Sequence, residues 1–188
     1  MIKTNKIFTV GVDEVNYSPS IAGDCLVAAC CLLKKPPEGL VRDSKQTTEK
    51  QRLRAFKWLQ YNSLYIVELA AVNHLEKLGI YKARNQAMWR AIAGLIDIMG
   101  DIDTVVIDGL ESWRPSFFMH QPLSIRYGLL PYRFKLEFVK DGDETIPSIS
   151  AASIIAKIYC DALFYGWAKY YPEFSMMKSD HGACGQNH

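Results

Sequence analysis

The sequence predicts an α/β fold in one domain covering residues 1–188, on three observations. Short β-branched or apolar runs interleave with longer segments whose apolar residues recur every three or four positions, the signature of strands alternating with helices. No repeat, low-complexity tract or Pro/Gly-rich linker divides the chain. With 188 residues, 49% apolar and 22% charged, it has the length and composition of one well-cored globular domain.

The elements follow in order. Ile7–Val12 is β-branched and predicts a strand that stops at the acidic pair Asp13-Glu14. Asp24–Leu33 is a second apolar run suited to a buried strand, ended by Lys34-Lys35-Pro36-Pro37. Thr48–Tyr61 predicts a helix with Thr47 or Thr48 as N-cap. Ser63–Val72 predicts a strand, and Ile80–Met99 a helix closed by Gly100. Thr104–Ile107 is a short strand stopping at Asp108; Arg133–Lys140 alternates as a half-exposed strand and leads into the turn Asp141-Gly142-Asp143. A long helix is expected from Ile149 to about Tyr170, and Pro172–His188 shows no regular pattern.

Bulk properties narrow the function little. The net charge of +2 neither requires nor excludes a nucleic-acid partner. Arg42, Lys45, Lys50, Arg52, Arg54 and Lys57 are opposed only by Asp43 and Glu49, which serves equally as a phosphate-facing patch or a solvated helix face. The five cysteines form no Cys-x-x-Cys pair, so buried free thiols in a reducing compartment are expected rather than disulfides or zinc. Met1–Lys6 lacks the apolar core of a signal peptide. The apolar stretch Ile21–Leu33 is too short to span a bilayer, so a cytoplasmic protein with no membrane partner is expected.

Chemistry is concentrated in acidic residues. Asp13-Glu14, Asp108 and Asp143 each stand after a strand or in the turn beyond one, where α/β sheets assemble their sites. Carboxylates gathered at one point repel each other unless cations neutralise them, and oxygen donors favour Mg²⁺ or Mn²⁺ over zinc. Two such ions about 4 Å apart can clamp a phosphodiester. Taken singly, each acidic residue is more often a turn former or helix cap than catalytic.

Val10-Gly11-Val12-Asp13-Glu14-Val15, Asp43-Ser44-Lys45, Ile107-Asp108-Gly109, Lys140-Asp141-Gly142-Asp143 and the stretch Ser148–Lys157 together resemble the ribonuclease HII family, in order and spacing over nearly the whole chain. The resemblance implies a ribonuclease H-like mixed β-sheet flanked by helices. It implies Asp13, Glu14, Asp108 and Asp143 as catalytic, metal-binding carboxylates, and a magnesium- or manganese-dependent endonuclease cutting the RNA of an RNA/DNA hybrid duplex, expected to act as a monomer. Asp43, Ser44 and Lys45 match a substrate-contacting segment.

The departures fall on substrate recognition. Asn16-Tyr17-Ser18 stands where the family carries the Gly-Arg-Gly loop that grips a ribonucleotide at an RNA–DNA junction, adding side chains where backbone should approach a ligand and removing a guanidinium. His181-Gly182-Ala183 stands where a Lys-Gly-Tyr segment supplies a stacking ring. A nuclease with altered specificity is expected. The alternatives are a nucleic-acid-binding relative with weak or changed nuclease activity, and a metal-dependent activity on DNA. Tyr17 serves either as a base or sugar contact or as a space filler. His74, His120, His181 and His188 lack metal-ligand spacing; His181 beside Asp180 is the one worth testing as a proton donor, though it reads first as an ordinary loop histidine. The serines of 148–153 are expected to be small packing residues on a helix face.

Overall fold

A computed structural model describes residues 8–15, 24–100, 102–109 and 134–170. Strands β1 (Thr9–Val15) and β2 (Cys25–Leu32) pair antiparallel, with Val10 opposite Cys31 and Val15 opposite Leu26. β3 (Ser63–Ala70) continues the antiparallel side, while β4 (Thr104–Asp108) and β5 (Lys135–Val139) add parallel to β1 on the other. The order β3-β2-β1-β4-β5 makes a mixed sheet with β1 at its centre. The expected mixed β-sheet flanked by helices is what the structure shows.

Helices cover both faces. Helix α3 (Ile80–Met99) lays Ala83, Ala87, Met88, Ala91, Ile92 and Leu95 on the face formed by Val10, Val12, Val27, Ala29, Val105 and Ile107. The other face is closed by α1 (Glu49–Asn62) and α5 (Pro147–Tyr170), whose Ala55, Leu59, Ala151, Ala152, Ile154 and Ile155 meet Ala28 and Cys30. α5 is long and apolar enough to cross a membrane, but its most apolar window is 61% buried, as befits a core helix. Cys25, Cys30, Cys31 and Cys160 are buried and none is in a disulfide among the described residues; Cys184 lies outside them.

The element ends carry the informative differences. β1 does not stop at the acidic pair but runs through it to Val15, so Asp13 and Glu14 belong to the ladder and point to opposite faces. β3 ends at Ala70, and the next residues form α2 (Val72–Leu78). Its first turn has no local side-chain cap; the Val72 N–H donates to the Asp24 carboxylate at 2.8 Å, a cap supplied from before β2. The turn after β5 tightens into a short helix, α4 (Gly142–Thr145), entered through Asp141 in a left-handed conformation (φ 54°). Gly11 explains how closely α5 lies on β1: a Cβ there would fall 2.1 Å from the carbonyl carbon of Ser148. Only the missing side chain lets helix backbone rest on strand backbone, setting the serines of α5 beside Asp13.

Candidate active site

Three carboxylates from distant parts of the chain meet at one end of the sheet. Asp13 comes from β1, Asp108 is the last residue of β4, and Asp143 sits in α4; an oxygen from each lies within 4.8 Å of the others. Asp13 and Asp143 are buried (5% and 2% exposed), and Asp108 is half-buried. Backbone geometry aims them. The Gly142 N–H donates to Asp108 Oδ1 at 2.7 Å, tying the α4 turn to the end of β4. Ser150 Oγ donates to the Asp143 carbonyl at 2.7 Å, tying that turn to α5. The Glu14 N–H donates to Asp13 Oδ1 at 2.8 Å, and the Ser153 hydroxyl bonds the same carboxylate.

Glu14 is not among the three. Alternation along β1 turns it to the α3 face, where its Oε1 lies 3.4 Å from a guanidinium nitrogen of Arg84. Its other oxygen, Oε2, is buried and accepts no hydrogen bond.

Asp43-Ser44-Lys45 docks against the same end. Asp43 caps a single 3₁₀ turn (Ser44–Gln46), its Oδ1 accepting from the Lys45 N–H at 2.8 Å. Ser44 Oγ meets Ser153 Oγ at 2.8 Å, so a chain of hydroxyls runs from the turn to Asp13. Lys45 Nζ reaches Asp143 Oδ2 at 3.1 Å while its side chain remains 76% exposed. Of the other basic residues in the 42–57 stretch, Arg42, Lys50, Arg54 and Lys57 are exposed; Arg52 turns inward to the Ser44 carbonyl and Asp161. Asn16, Tyr17, Ser18, His120, His181, Ala183 and His188 lie outside the described residues, and His74 is exposed on α2.

The charges strain against one another. Burial, then the charges of Glu14 and Asp108, push the Asp13 carboxyl well above the usual carboxylate range. Burial lifts Glu14 to about 7, with Arg84 pulling the other way and Asp108 adding to the rise. Asp108 is raised too, chiefly by burial, with the Gly142 N–H opposing. Lys45 is raised despite partial burial, because the Asp143 hydrogen bond and the charges of Asp143, Asp13 and Asp43 favour its ammonium form. An all-oxygen donor set, crowded carboxylates and one orphaned carboxylate oxygen fit a hard divalent cation of the magnesium or manganese type.

Arg84, Ser150 and Ser153 were not singled out in the sequence for the site. The serines are buried packing residues, as expected, but also hold Asp143 and Asp13. Arg84 had a legible signal: it stands four residues before Met88 and seven before Ala91, in the buried stripe of α3.

A model of the family described as Ribonuclease HII matches residues 10–178. A ribonuclease HII of Natranaerobius thermophilus is 33% identical over 184 residues, covering 97% of this chain and 82% of that protein. One from Pelagibacter ubique is 34% identical over 168 residues, covering 84% of this chain and 78% of that protein. Among solved structures, a chain of the PCNA:RNase HII complex from Archaeoglobus fulgidus matches with a TM-score of 0.63 at 20% identity, over 88% of this chain and 78% of that one. At that identity the likeness speaks to the fold.

Proposed function

The chain belongs to the ribonuclease HII family of endoribonucleases, and from that premise we propose that it hydrolyses the RNA strand of RNA/DNA hybrids by a two-metal mechanism. Asp13, Glu14, Asp108 and Asp143 are the acting carboxylates. The observation that carries this reading is the convergence of Asp13, Asp108 and Asp143 within 4.8 Å from three separate segments. All three come from one chain, so the reading needs no partner subunit and takes the protein as a monomer on its duplex. The buried thiols of Cys25, Cys30, Cys31 and Cys160, with no disulfide among the described residues, suit the reducing, cytoplasmic setting expected from the sequence.

Mg²⁺ or Mn²⁺ held by these carboxylates supplies Lewis acidity to the phosphodiester and to the attacking water. The chain's own groups do the positioning. Asp13 is oriented by the Glu14 N–H and Ser153, and Asp108 by the Gly142 N–H. Lys45, charged and open to solvent beside Asp143, is placed to receive a backbone phosphate oxygen from the duplex. The exposed Arg42, Lys50, Arg54 and Lys57 extend that positive strip along the turn and α1.

A second reading, a nucleic-acid-binding relative with weak nuclease activity, is favoured by Arg84's hold on Glu14 and by Asn16-Tyr17-Ser18 in place of Gly-Arg-Gly. A cleavage panel separates the two: RNA/DNA hybrid, DNA with one embedded ribonucleotide, duplex RNA and duplex DNA, each with Mg²⁺ and Mn²⁺. The expected result is cutting of the hybrid to 3′-hydroxyl and 5′-phosphate ends, with little preference for the lone ribonucleotide. Tight binding without cutting would support the second reading. Efficient cutting at the lone ribonucleotide would show that other residues sense the 2′-hydroxyl.

A further inference from the structure

Arg84 is 1% exposed and the largest fully buried side chain among the described residues. An arginine so placed keeps its charge, because the guanidinium does not release its proton in proteins. Its surroundings hold it in one pose. The Asn85 side-chain oxygen accepts from Nε at 3.3 Å and from a terminal nitrogen at 3.1 Å, and the guanidinium stands 6.0 Å from the Tyr81 ring centroid. The other terminal nitrogen faces Glu14 Oε1 at 3.4 Å. Glu14 therefore has one oxygen committed to a fixed cation and one, Oε2, buried with nothing to satisfy it. Among the described residues, the three aspartates face no such buried competitor, and the cation beside them is Lys45, whose flexible stem is mostly in solvent and can swing away.

We propose that Arg84 is a tethered cation that makes the acidic centre load its divalent ions unequally. The inference rests on the reading of that centre as a cation site. Asp13, Asp108 and Asp143 take the first ion at full strength. Glu14 offers the second only Oε2, beside a positive charge that cannot leave or be titrated away. Like charges a few ångströms apart in a buried setting repel more strongly than in water, so Arg84 makes the second position weak in the free protein. A substrate phosphate, bringing negative charge of its own, relieves that penalty. Arg84 thus acts as a positioning residue that ties completion of the centre to the arrival of nucleic acid.

The test counts ions directly. Mn²⁺ is titrated into the metal-free full chain, with free Mn²⁺ followed by electron paramagnetic resonance and the heat by calorimetry. Expected for the wild type is one ion bound at least tenfold more tightly than the next. In Arg84→Met, which keeps bulk but removes charge, the second ion should tighten at least tenfold while the first stays within about twofold. Arg84→Lys should keep the wild-type split. Should Arg84→Met fail to fold, Glu14→Gln answers instead: it should lose the weak ion and keep the tight one. Two equally tight ions in the wild type, an unchanged second affinity in Arg84→Met, or loss of the tight ion in Glu14→Gln would each overturn the role of Arg84. Absence of any bound Mn²⁺ would overturn the cation-site reading along with it.

Discussion

Replacing one charge in a crowd of carboxylates by its neutral amide keeps the shape and removes repulsion. Asp13→Asn and Asp108→Asn should each cut cleavage of an RNA/DNA hybrid by about 100-fold or more. The metal-free melting temperature should stay level or rise, because Asp13 and Asp108 are held above the ordinary carboxylate range by burial and by their charged neighbours. The geometry tolerates the change: an amide oxygen can still accept from the Gly142 N–H at position 108. Thermal melts of both variants without metal check this, and a drop of many degrees in each would make the residues structural. Asp13, Asp108 and Asp143 were legible in the sequence because each stands after a strand-like run or in the turn beyond one. The separate environment of Glu14 was not, since it depends on which way a side chain leaves β1 and on what α3 sets opposite.

Among the elements, the contact of α5 with β1 bears most directly on the site. Gly11→Ala would drive a methyl group into the Ser148 carbonyl carbon and the Ile149 amide nitrogen, which lie 2.1 and 2.3 Å from the ideal Cβ. Both atoms are backbone, so strand and helix must separate. The cost should reach about 3 kcal/mol, at the upper end for overpacking, lowering the melting temperature by roughly 6–12 °C. Activity should fall as well, because Ser153 would leave Asp13. Differential scanning calorimetry with a parallel cleavage assay tests both; a variant that melts and cuts like the wild type would refute the close approach. The same elements show what sequence pattern can deliver. Helix Ile80–Met99 is found where apolar spacing and Gly100 put it, since both signals are local. The run of β1 through Asp13-Glu14 was hidden, because acidic residues inside a strand look like its end until the pairing with Ala28 and Val27 is seen. α2 was hidden because its capping carboxylate, Asp24, lies 48 residues away in sequence.

At the scale of the whole molecule, the acidic centre couples stability to pH and metal. Burial lifts Glu14 from 4.5 to about 7, and Asp13 and Asp108 are raised as well. Between those limits the folded chain holds protons that the unfolded chain has released, so stability falls as pH rises from about 4.5 through 7. Metal-free protein should therefore melt roughly 5 °C higher at pH 5 than at pH 8, and millimolar Mg²⁺ or Mn²⁺ should recover most of the loss at pH 8. A metal-free melting temperature that is flat or climbs over that range would contradict this. The central position of β1 also has a consequence in time. On a ribosome adding about 5–20 residues per second, the strand bearing Asp13 is made well before β4, and α5, which closes its other face, comes last of the described elements. For several seconds of every synthesis, then, half of the fold waits on a helix not yet translated. A nascent chain that ends before α5 lacks Ser150 and Ser153, the hydroxyls that hold Asp143 and Asp13, and leaves that face of β1 without its covering helix.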